Sequence, residues 1–416
     1  MLVKAPVQRG TAQKPMRVFM MDTWATVPYY TAYLAKALGA NGISVQVGSM
    51  TYYLDPSCFR DRGLGLHPGA FDVVGRLKLP RVLRRILKLA EGVVNLCALG
   101  VRFFVRPPDV VHVQFLPMLR SRLPVDHWFV QFCQWRGIPV ILTVHDLLPH
   151  DSGARHHAIY ERLYARMDGL ICHSTHIRKR LIDAFGISEE KVAVIPHGPF
   201  FFDLADGDSA ATLAQLDVGP GQHMVLWQGI LLPYKGVDLL LEAWGHVEQQ
   251  AADLCLVILG TGEPGLVAQL QEQARALDLK NVRFHPRFCS SAELVAAYQA
   301  AEVVIYPYRA ITTSGALATG LALGKALIAS RLPVFEELLT DGVNAVLVDP
   351  EDVVAMARMI VDLIRDPVRR KSMEDAVRTM QFGEQTWRAI ARDTVQVYEK
   401  AQRQAAETLS VAPEAN

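Results

Sequence analysis

The sequence predicts an α/β protein in which two doubly wound domains face each other across a cleft. In both halves, short apolar segments alternate with longer amphipathic ones, which is typical of parallel sheets covered by helices. The 416 residues suffice for two domains with separate cores. Residues 201–221 are acidic and rich in small side chains, which favours a linker. We therefore assign 1–200 to the first domain and 222–385 to the second, followed by a helix at 386–404 and a disordered tail at 405–416.

Twelve short apolar runs, many of them rich in β-branched residues, predict the strands of the two domains. In the first half they lie at 17–21, 44–47, 110–113, 140–144, 169–173 and 192–195. In the second half they lie at 224–227, 254–259, 282–284, 303–306, 326–329 and 345–348. The segments between them predict helices, and from residue 351 to about 405 the pattern indicates consecutive helices.

The composition is that of an ordinary enzyme of the cytoplasm. Half of the residues are hydrophobic and 20% are charged. The six cysteines are scattered, without a Cys-x-x-Cys, which argues against a disulfide framework or a structural zinc site. Residues 1–15 lack the apolar stretch of a signal peptide, and the run at 92–105 is too short to span a bilayer. We expect a cytoplasmic protein that stays on one side of a membrane.

Charge is divided unevenly along the chain. Residues 1–200 hold 25 Lys and Arg against 14 Asp and Glu, whereas residues 201–416 hold 18 against 28. The first domain is therefore expected to meet an anionic partner. Its most basic segment predicts an amphipathic helix at 79–104, with apolar residues recurring at helical spacing. The cations expected at an anionic membrane or an acceptor are Arg81, Arg84, Arg85 and Lys88.

This helix has one open alternative interpretation and one less favoured one. It could be a packed surface helix whose basic face is simply solvated. Nucleic acid is a poorer partner, because no aromatic side chains interleave the basic ones.

Two glycine-containing segments carry the strongest functional signal. Gly229 to Gly236 follows one predicted strand, and the segment from Arg309 to Gly315 follows another. A strand, a Gly turn and a helix N-terminus can bind phosphate oxygens through backbone N–H groups. Lys235 and Arg309 are the candidate counter-charges, so the pair predicts a site for a diphosphate. The alternative is that the glycines only permit tight turns and both cations are solvated.

These segments resemble the nucleotide-sugar glycosyltransferases of the GT-B fold, in particular the large family 4. That family carries a Gly-Arg-x4-Lys-Gly turn, which 229–236 matches except that Ile230 replaces the Arg. The strand Gly324 to Ser330 also fits, but the two residues of the preceding Glu-x7-Glu motif are Ile311 and Thr319 here. The resemblance extends over residues 16–400 and indicates a sub-branch without the Glu pair.

The resemblance implies a GT-B fold whose last helix crosses back to the first domain, with the donor bound by the second domain and the acceptor by the first. The expected donor-binding residues are Gly229, Lys235, Arg309, Thr313, Ser314, Gly315 and Thr319. His145, at the end of a predicted strand, is expected beside the transferred sugar, with Asp146 as its partner. A structural role for this histidine is the alternative, and His112 is a weaker candidate.

The chemistry expected is hexosyl transfer from a nucleotide-diphosphate sugar without a cofactor or metal. Developing charge on the leaving diphosphate would be stabilised by Lys235, Arg309 and N–H groups near Gly315. The Asp-x-Asp at 206–208 lies in the linker, where a solvated role is expected. The sequence does not choose between retention and inversion, and inversion would require His145 or Asp146 as the base.

A lipid-linked saccharide acceptor, used in exopolysaccharide or cell-envelope glycan synthesis on the inner face of the plasma membrane, would explain the basic helix. The alternatives are a soluble acceptor, or a catalytically silent scaffold that binds sugar nucleotides. A nicotinamide oxidoreductase is disfavoured because no Gly-x-Gly-x-x-Gly follows the first strand.

Overall fold

The computed structural model describes residues 14–116, 118–119, 124–148, 153–204 and 207–411, which form two six-stranded parallel sheets with helices around them. The predicted α/β fold class is confirmed. The twelve predicted strands are all present, each within two residues of its predicted ends. They form where continuous apolar runs can be buried on both faces of a sheet, as in 254–259, where all six residues are buried.

The first sheet contains the six strands of the N-terminal half. They are β1 (Arg17–Asp22), β2 (Ser44–Gly48), β3 (Val110–Phe115), β4 (Val140–Thr143), β5 (Gly169–Cys172) and β6 (Val192–Val194). Their order is β2-β1-β3-β4-β5-β6, with every pairing parallel. The helices are α1 (Pro28–Ala40), α2 (Arg81–Val105), α3 (Val125–Trp135), α4 (Gly153–Arg166) and α5 (Thr175–Phe185).

The second sheet contains the six strands of the C-terminal half. They are β7 (His223–Gln228), β8 (Leu254–Leu259), β9 (Val282–His285), β10 (Val303–Tyr306), β11 (Ala326–Ser330) and β12 (Val346–Val348), in the order β12-β11-β10-β7-β8-β9. The helices around them are α6 (Ser209–Gln215), α7 (Val237–Gln250), α8 (Pro264–Ala276), α9 (Ser291–Ala300), α10 (Gly315–Ala322), α11 (Pro333–Glu336), α12 (Val353–Arg365), α13 (Pro367–Thr379) and α14 (Glu384–Val411).

Helix α2 lies close to its predicted bounds of 79–104. It starts directly after Pro80 and ends before Arg106-Pro107, because the residue that precedes a proline is disfavoured in the α conformation. Within the described ranges, neither α2 nor any other helix is long and apolar enough to cross a membrane.

Helix α14 returns to the first domain and completes its core. Trp387, Ile390 and Tyr398 are buried in the same apolar cluster as Val18 and Met20 of β1. The predicted cross-over at 386–404 is thus part of a longer helix. The tail predicted as disordered from 405 is helical as far as 411, since Ala and Glu there favour continuation of the helix. Residues 412–416 lie outside the described residues.

The predicted linker at 201–221 is also more structured than expected. Asp208 caps α6 by accepting hydrogen bonds from the Ala210 and Ala211 N–H groups. Leu216 and Val218 are buried against the second sheet. Local composition made this segment look like a solvated connection, but its few apolar residues anchor it to the second domain.

The two domains also touch through a carboxylate. Glu337, next to α11 of the second domain, accepts hydrogen bonds from the Thr175 and His176 N–H groups, both at 2.8 Å. These N–H groups begin α5 of the first domain, where a helix has unpaired donors and a positive dipole end. A residue of one domain therefore caps a helix of the other.

Candidate active site

The carboxyl ends of both sheets open onto one cavity of about 390 Å³ between the domains. In each sheet the strand order reverses near this cavity, between β1 and β3 in the first and between β7 and β10 in the second. Ligands of doubly wound sheets bind at such switch points. The two glycine-containing segments follow β7 and β10, so the fold brings them side by side.

Two glycines, one in the loop after β7 and one in the loop after β8, let these loops pack against neighbouring backbone. Gly236 has φ +66°, and a Cβ there would lie 1.8 Å from the carbonyl oxygen of Pro307, which directly follows β10. Gly260 has φ +140°, and a Cβ there would lie 1.9 Å from the carbonyl oxygen of Gly229. No side chain fits at these contacts. The backbone of the loop is thereby held close to both neighbouring loops.

Lys235 lies on the cavity wall at the end of a short 3₁₀ turn, Pro233–Lys235. Its Nζ lies 5.4 Å from the centre of the Tyr308 ring. Burial lowers the pKa of Lys235 to about 8, while the negative charge of Asp146 in the first domain opposes this shift. A partly buried cation therefore faces the cavity.

Arg309 does not stand where the sequence predicted it. Its guanidinium donates two hydrogen bonds of 2.7 Å to the carboxylate of Asp238 in α7 and one of 3.1 Å to the Pro233 carbonyl. It is not among the described residues that line the cavity. Its backbone N–H also donates to the Tyr234 carbonyl at 2.8 Å. Arg309 therefore fixes the turn that carries Lys235, and the structure does not bring its side chain to the cavity wall beside Lys235.

The N-terminus of α10 presents backbone donors to the same cavity. The Ser314 hydroxyl accepts from the Leu317 N–H at 3.1 Å, and the Ser314 carbonyl accepts from the Ala318 N–H. Among the described residues, the N–H groups of Gly315 and Ala316 have no protein acceptor assigned, and both residues line the cavity. Free N–H groups at a helix N-terminus attract anions.

The other predicted donor-binding residues near α10 divide into two groups. Thr313 and Thr319 line the cavity, although the Thr319 hydroxyl is already donated to the Gly315 carbonyl at 2.8 Å. Ser314 acts as the helix cap and is not among the described residues that line the cavity. A Cβ at Gly315 would lie 2.6 Å from the Phe200 ring, so this end of α10 lies directly against the segment that joins the domains.

His145 and Asp146 follow β4 on the opposite wall of the cavity. His145 is 7% exposed, and burial together with three neighbouring histidines holds its pKa well below the ordinary value. Its Nε2 lies 3.0 Å from Oε1 of Gln114 in β3. Asp146 is exposed. The neutral imidazole and the carboxylate thus stand opposite the Lys235 wall.

Sequence reasoning missed a cluster of rings beside His145. His173 and His197 follow β5 and β6, and the Tyr30 ring of α1 lies 4.7 to 5.3 Å from all three imidazoles. Burial lowers the pKa of His173 to about 4 and that of His197 to about 3. The signal in the sequence was a histidine at the end of, or just beyond, each of three successive predicted strands.

An aromatic contact between the domains was missed as well. Tyr52 of the first domain and Phe288 of the second both line the cavity, with ring centres 6.2 Å apart. Neither residue belongs to a strand or to a recognisable motif, so the sequence offered no signal for this pair.

The basic residues of α2 lie away from the cavity. Lys88 places its Nζ 5.5 Å from the centre of the Tyr53 ring, and Arg84 Nη2 lies 3.4 Å from the Leu77 carbonyl. Arg85 is exposed, and the side chain of Arg81 lies outside the described residues. Arg84, Arg85 and Lys88 therefore form part of the outer surface of the first domain.

No cluster of three or more His, Cys, Asp or Glu suited to a metal ion occurs in the described ranges. Asp206 of the Asp-x-Asp sequence lies outside them, while Asp208 caps α6 as described above.

Comparison with known families decides the identity of the fold. Residues 27–198 match the family model described as Glycosyltransferase Family 4, and residues 222–366 match the one described as Glycosyl transferases group 1. The two matches cover the two domains in turn. The chain belongs to the family 4-like glycosyltransferases of the GT-B fold.

Named relatives and solved structures agree with this assignment. The chain is 27% identical to D-inositol 3-phosphate glycosyltransferase 1 of Catenulispora acidiphila over 400 aligned residues, 87% of this chain and 90% of that protein. It is 24% identical to D-inositol 3-phosphate glycosyltransferase of Thermobifida fusca, over 83% of this chain and 81% of that protein.

The fold matches that of HepE from Anabaena in complex with UDP and glucose, with a TM-score of 0.68 and 19% identity over 95% of this chain and all of that one. It also matches sucrose-phosphate synthase from Thermosynechococcus elongatus, with a TM-score of 0.70 and 18% identity over 94% of this chain and all of that one.

Proposed function

We propose that this glycosyltransferase moves a hexosyl residue from a nucleotide-diphosphate sugar to a hydroxyl group of a lipid-linked saccharide on an anionic membrane surface. Such a reaction would contribute to exopolysaccharide or cell-envelope glycan synthesis at the inner face of the plasma membrane. The donor part of the proposal is supported by the cavity, and the acceptor part by the outer surface of α2.

The donor diphosphate is assigned to the wall formed by the Lys235 turn and the α10 N-terminus. Lys235 supplies a charge, and the N–H groups of Gly315 and Ala316 supply oriented donors on the same cavity wall. Such groups stabilise charge that develops on a leaving phosphate. The proposal assigns this task to the protein alone, without a metal ion. HepE, which shares the fold, binds UDP and UDP-glucose.

His145 and Asp146 are assigned to the sugar and the attacking hydroxyl. They face the diphosphate wall from the first domain, as a group beside the anomeric carbon must. A neutral imidazole can accept or donate a hydrogen bond without adding a positive charge beside the reacting sugar. His145→Ala is therefore expected to reduce turnover much more than nucleotide affinity.

The observation that carries the membrane-bound acceptor is an apolar line along the exposed side of α2. Residues at spacings of three and four along the whole helix are both apolar and exposed, and we name this set the outer stripe. Its members are Val82, Ile86, Ala90, Val94, Cys97, Val101 and Val105. The helix is about 37 Å long. Exposed apolar patches of this extent mark contact with a membrane or a protein.

The charges around the outer stripe favour an anionic bilayer over a second copy of the chain. Residues 81–136 contain nine Lys and Arg against three Asp and Glu. Of the three acids, Glu91 and Asp126 are buried, and Asp109 is paired with Arg17. A second copy would bring the same positive charge to the contact, whereas anionic lipids attract each nearby cation by about 1 kcal/mol. Trp128 and Trp135, 61% and 71% exposed on α3, suit the bilayer interface.

A soluble, phosphorylated acceptor is the second candidate. The observation that favours it is the name shared by the curated relatives described above, D-inositol 3-phosphate glycosyltransferase. On this alternative, the outer stripe would bind another protein and the cavity would take a small acceptor.

Two measurements separate these candidates. Vesicles with anionic lipids should co-sediment the full chain at low salt and lose it as salt rises, because the attraction is screened within about 10 Å at 0.1 M. A variant with Arg81, Arg84, Arg85 and Lys88 changed to Gln should bind these vesicles weakly yet bind UDP as the wild type does. Transfer assays with a lipid-linked saccharide and with inositol 3-phosphate then identify the acceptor. Transfer to inositol 3-phosphate alone, without vesicle binding, would reject the membrane proposal.

A further inference from the structure

A series of buried hydrogen bonds connects helix α14 to His145 in the cavity. The His112 Nδ1 lies 2.6 Å from the Tyr398 hydroxyl of α14, and the Gln114 Nε2 lies 3.2 Å from the His112 Nε2. The Gln114 Oε1 lies 3.0 Å from the His145 Nε2. His112, Gln114 and Tyr398 are 1% exposed or less. Water cannot substitute easily for any of these partners.

The orientation of the Gln114 side-chain amide sets the direction of these hydrogen bonds. The Gln114 amide nitrogen can only donate, so the His112 Nε2 must carry a lone pair. The Thr143 hydroxyl lies 2.8 Å from the same nitrogen and can donate to this lone pair as well. Burial lowers the pKa of His112 to about 3, so its ring is neutral and its single proton is on Nδ1. That proton is donated to the Tyr398 hydroxyl.

The same logic fixes the other end of the series. The Gln114 Oε1 can only accept, so the His145 Nε2 carries the proton of a neutral ring. The His145 Nδ1 is then left with a lone pair. Reversing any one bond would put two donors or two acceptors face to face in the interior, where a lost hydrogen bond is costly. Each hydrogen bond of the series therefore fixes which group donates in the next one.

We propose that Tyr398, His112 and Gln114 are positioning residues that hold His145 in its Nε2–H tautomer, so that the docking of α14 sets which nitrogen of the cavity histidine can accept a proton or a hydrogen bond. The inference rests on the proposed function only in placing His145 beside the reacting sugar. Tyr398 acts through three intervening side-chain contacts and does not itself reach the cavity.

The tautomers are measured directly in the full chain labelled with ¹⁵N-histidine. Long-range proton–nitrogen correlation separates protonated from unprotonated ring nitrogens, and His112→Gln and His145→Gln assign the signals. The wild type should show His112 protonated at Nδ1 and His145 at Nε2. Any other pair of tautomers overturns the inference, even if every variant below fails to fold.

Tyr398→Phe is the decisive variant because it removes only the acceptor of the His112 proton. The His112 tautomer should change, the Gln114 side-chain amide should flip, and a population of His145 protonated at Nδ1 should appear. Thr394→Val is the matched control. It removes another buried hydroxyl of α14, one that donates to the Ile390 carbonyl at 2.7 Å, and should leave His145 unchanged. An unchanged His145 tautomer in Tyr398→Phe would overturn the inference.

Activity supplies a separate readout. In Tyr398→Phe we expect kcat to fall about fivefold, the equivalent of roughly 1 kcal/mol for one hydrogen bond, with an unchanged KM for the sugar nucleotide. If the tautomers agree with the inference but no sugar is transferred by the wild type, the proposed function fails and the hydrogen-bond series stands. If transfer occurs but the tautomers differ, the reverse holds.

Discussion

Raising the pH above 8 is expected to weaken the binding of a nucleotide diphosphate, because Lys235 then loses its proton. Burial lowers the pKa of this lysine from 10.5 to about 8, so its amine titrates in an accessible range. The ammonium form is present below pH 8 and the neutral amine above it. A terminal phosphate, with a second pKa near 6, does not titrate in this range.

The size of the effect follows from that pKa. With a value of about 8, roughly nine-tenths of Lys235 is protonated at pH 7 and roughly one-tenth at pH 9. If only the ammonium form binds, affinity for UDP should fall about tenfold between these pH values, equivalent to about 1.4 kcal/mol. Lys235→Met should remove the charge at every pH. Loss of such a donor also typically lowers turnover by about 10² to 10³.

Titration calorimetry with UDP at pH 7, 8 and 9 tests this directly. Lys235→Arg keeps its charge throughout, so its affinity should vary little, and Lys235→Met should bind weakly at each pH. Lys325→Met is a matched control. Lys325 is another lysine of the second domain whose pKa is lowered by burial, but its Nζ lies 3.4 Å from the Gln299 carbonyl and away from the cavity. This control should keep the wild-type pH dependence.

Equal UDP affinity for the wild type at pH 7 and 9 would refute the assignment of Lys235 to the diphosphate. A tenfold loss that persists in Lys235→Arg would refute it as well, since another group would then be titrating.

Four further outcomes are expected. Arg309→Ala should weaken UDP binding less than Lys235→Met does. In a double-mutant cycle of unfolding it should show a coupling of only about 0.2–1 kcal/mol with Asp238→Ala, because both side chains are partly exposed. Additive effects of the two substitutions would contradict this pairing. Ile230→Arg, at a 58% exposed position of the cavity, should tighten UDP binding in calorimetry whether or not Arg309 is present, because it restores the Arg of the family turn. An effect confined to the Arg309→Ala background would instead indicate that Arg309 substitutes for that Arg. Gly236→Ala should lower the free energy of unfolding, measured with urea, by more than the roughly 1–3 kcal/mol of backbone strain alone. Gly221→Ala is the control, because Gly221 has φ +79° and open space around it, so only the strain should appear. Equal losses of stability in the two variants would count against the contact between residue 236 and Pro307. Lowering the pH from 6.5 towards 4 should destabilise the protein, because the pKa values of His112, His173 and His197 are lowered in the folded state and the unfolded chain therefore binds more protons. The raised pKa values of Asp22, about 6, and Asp126, about 7, offset part of this loss. A urea midpoint that is flat from pH 7 to 5 would argue against neutral buried histidines.

The fold could be predicted from sequence because its signals are local. A run such as 254–259 can be buried only in the middle of a sheet, and alternation with helices makes that sheet parallel. The strand ends, where ligands bind, follow from the same pattern. The sequence therefore places Gly229, Lys235 and Gly315 at the strand ends, and in the structure all three line the cavity.

What the sequence could not reveal are partners brought together from distant parts of the chain. Arg309 has the residue type and position of a phosphate ligand, but Asp238, 71 residues earlier, takes up its guanidinium. Gln114 has no motif of its own and acquires a role only because β3 lies beside β4. The linker and tail were predicted from composition, which does not register the few apolar contacts that order 209–218.

The position of α14 has a consequence for how the chain is made. The core of the first domain includes Trp387, Ile390 and Tyr398, so that domain lacks part of its interior until α14 has been synthesised. At about 5–20 residues per second, the ribosome needs roughly 10–40 s to add the second half of the chain. During that time the second domain can fold. The first domain is synthesised earlier, but its apolar face against α14 stays uncovered. Folding should therefore be completed from the C-terminal domain back to the N-terminal one, and a ribosome-bound chain that ends at residue 383 should expose its first domain to proteases.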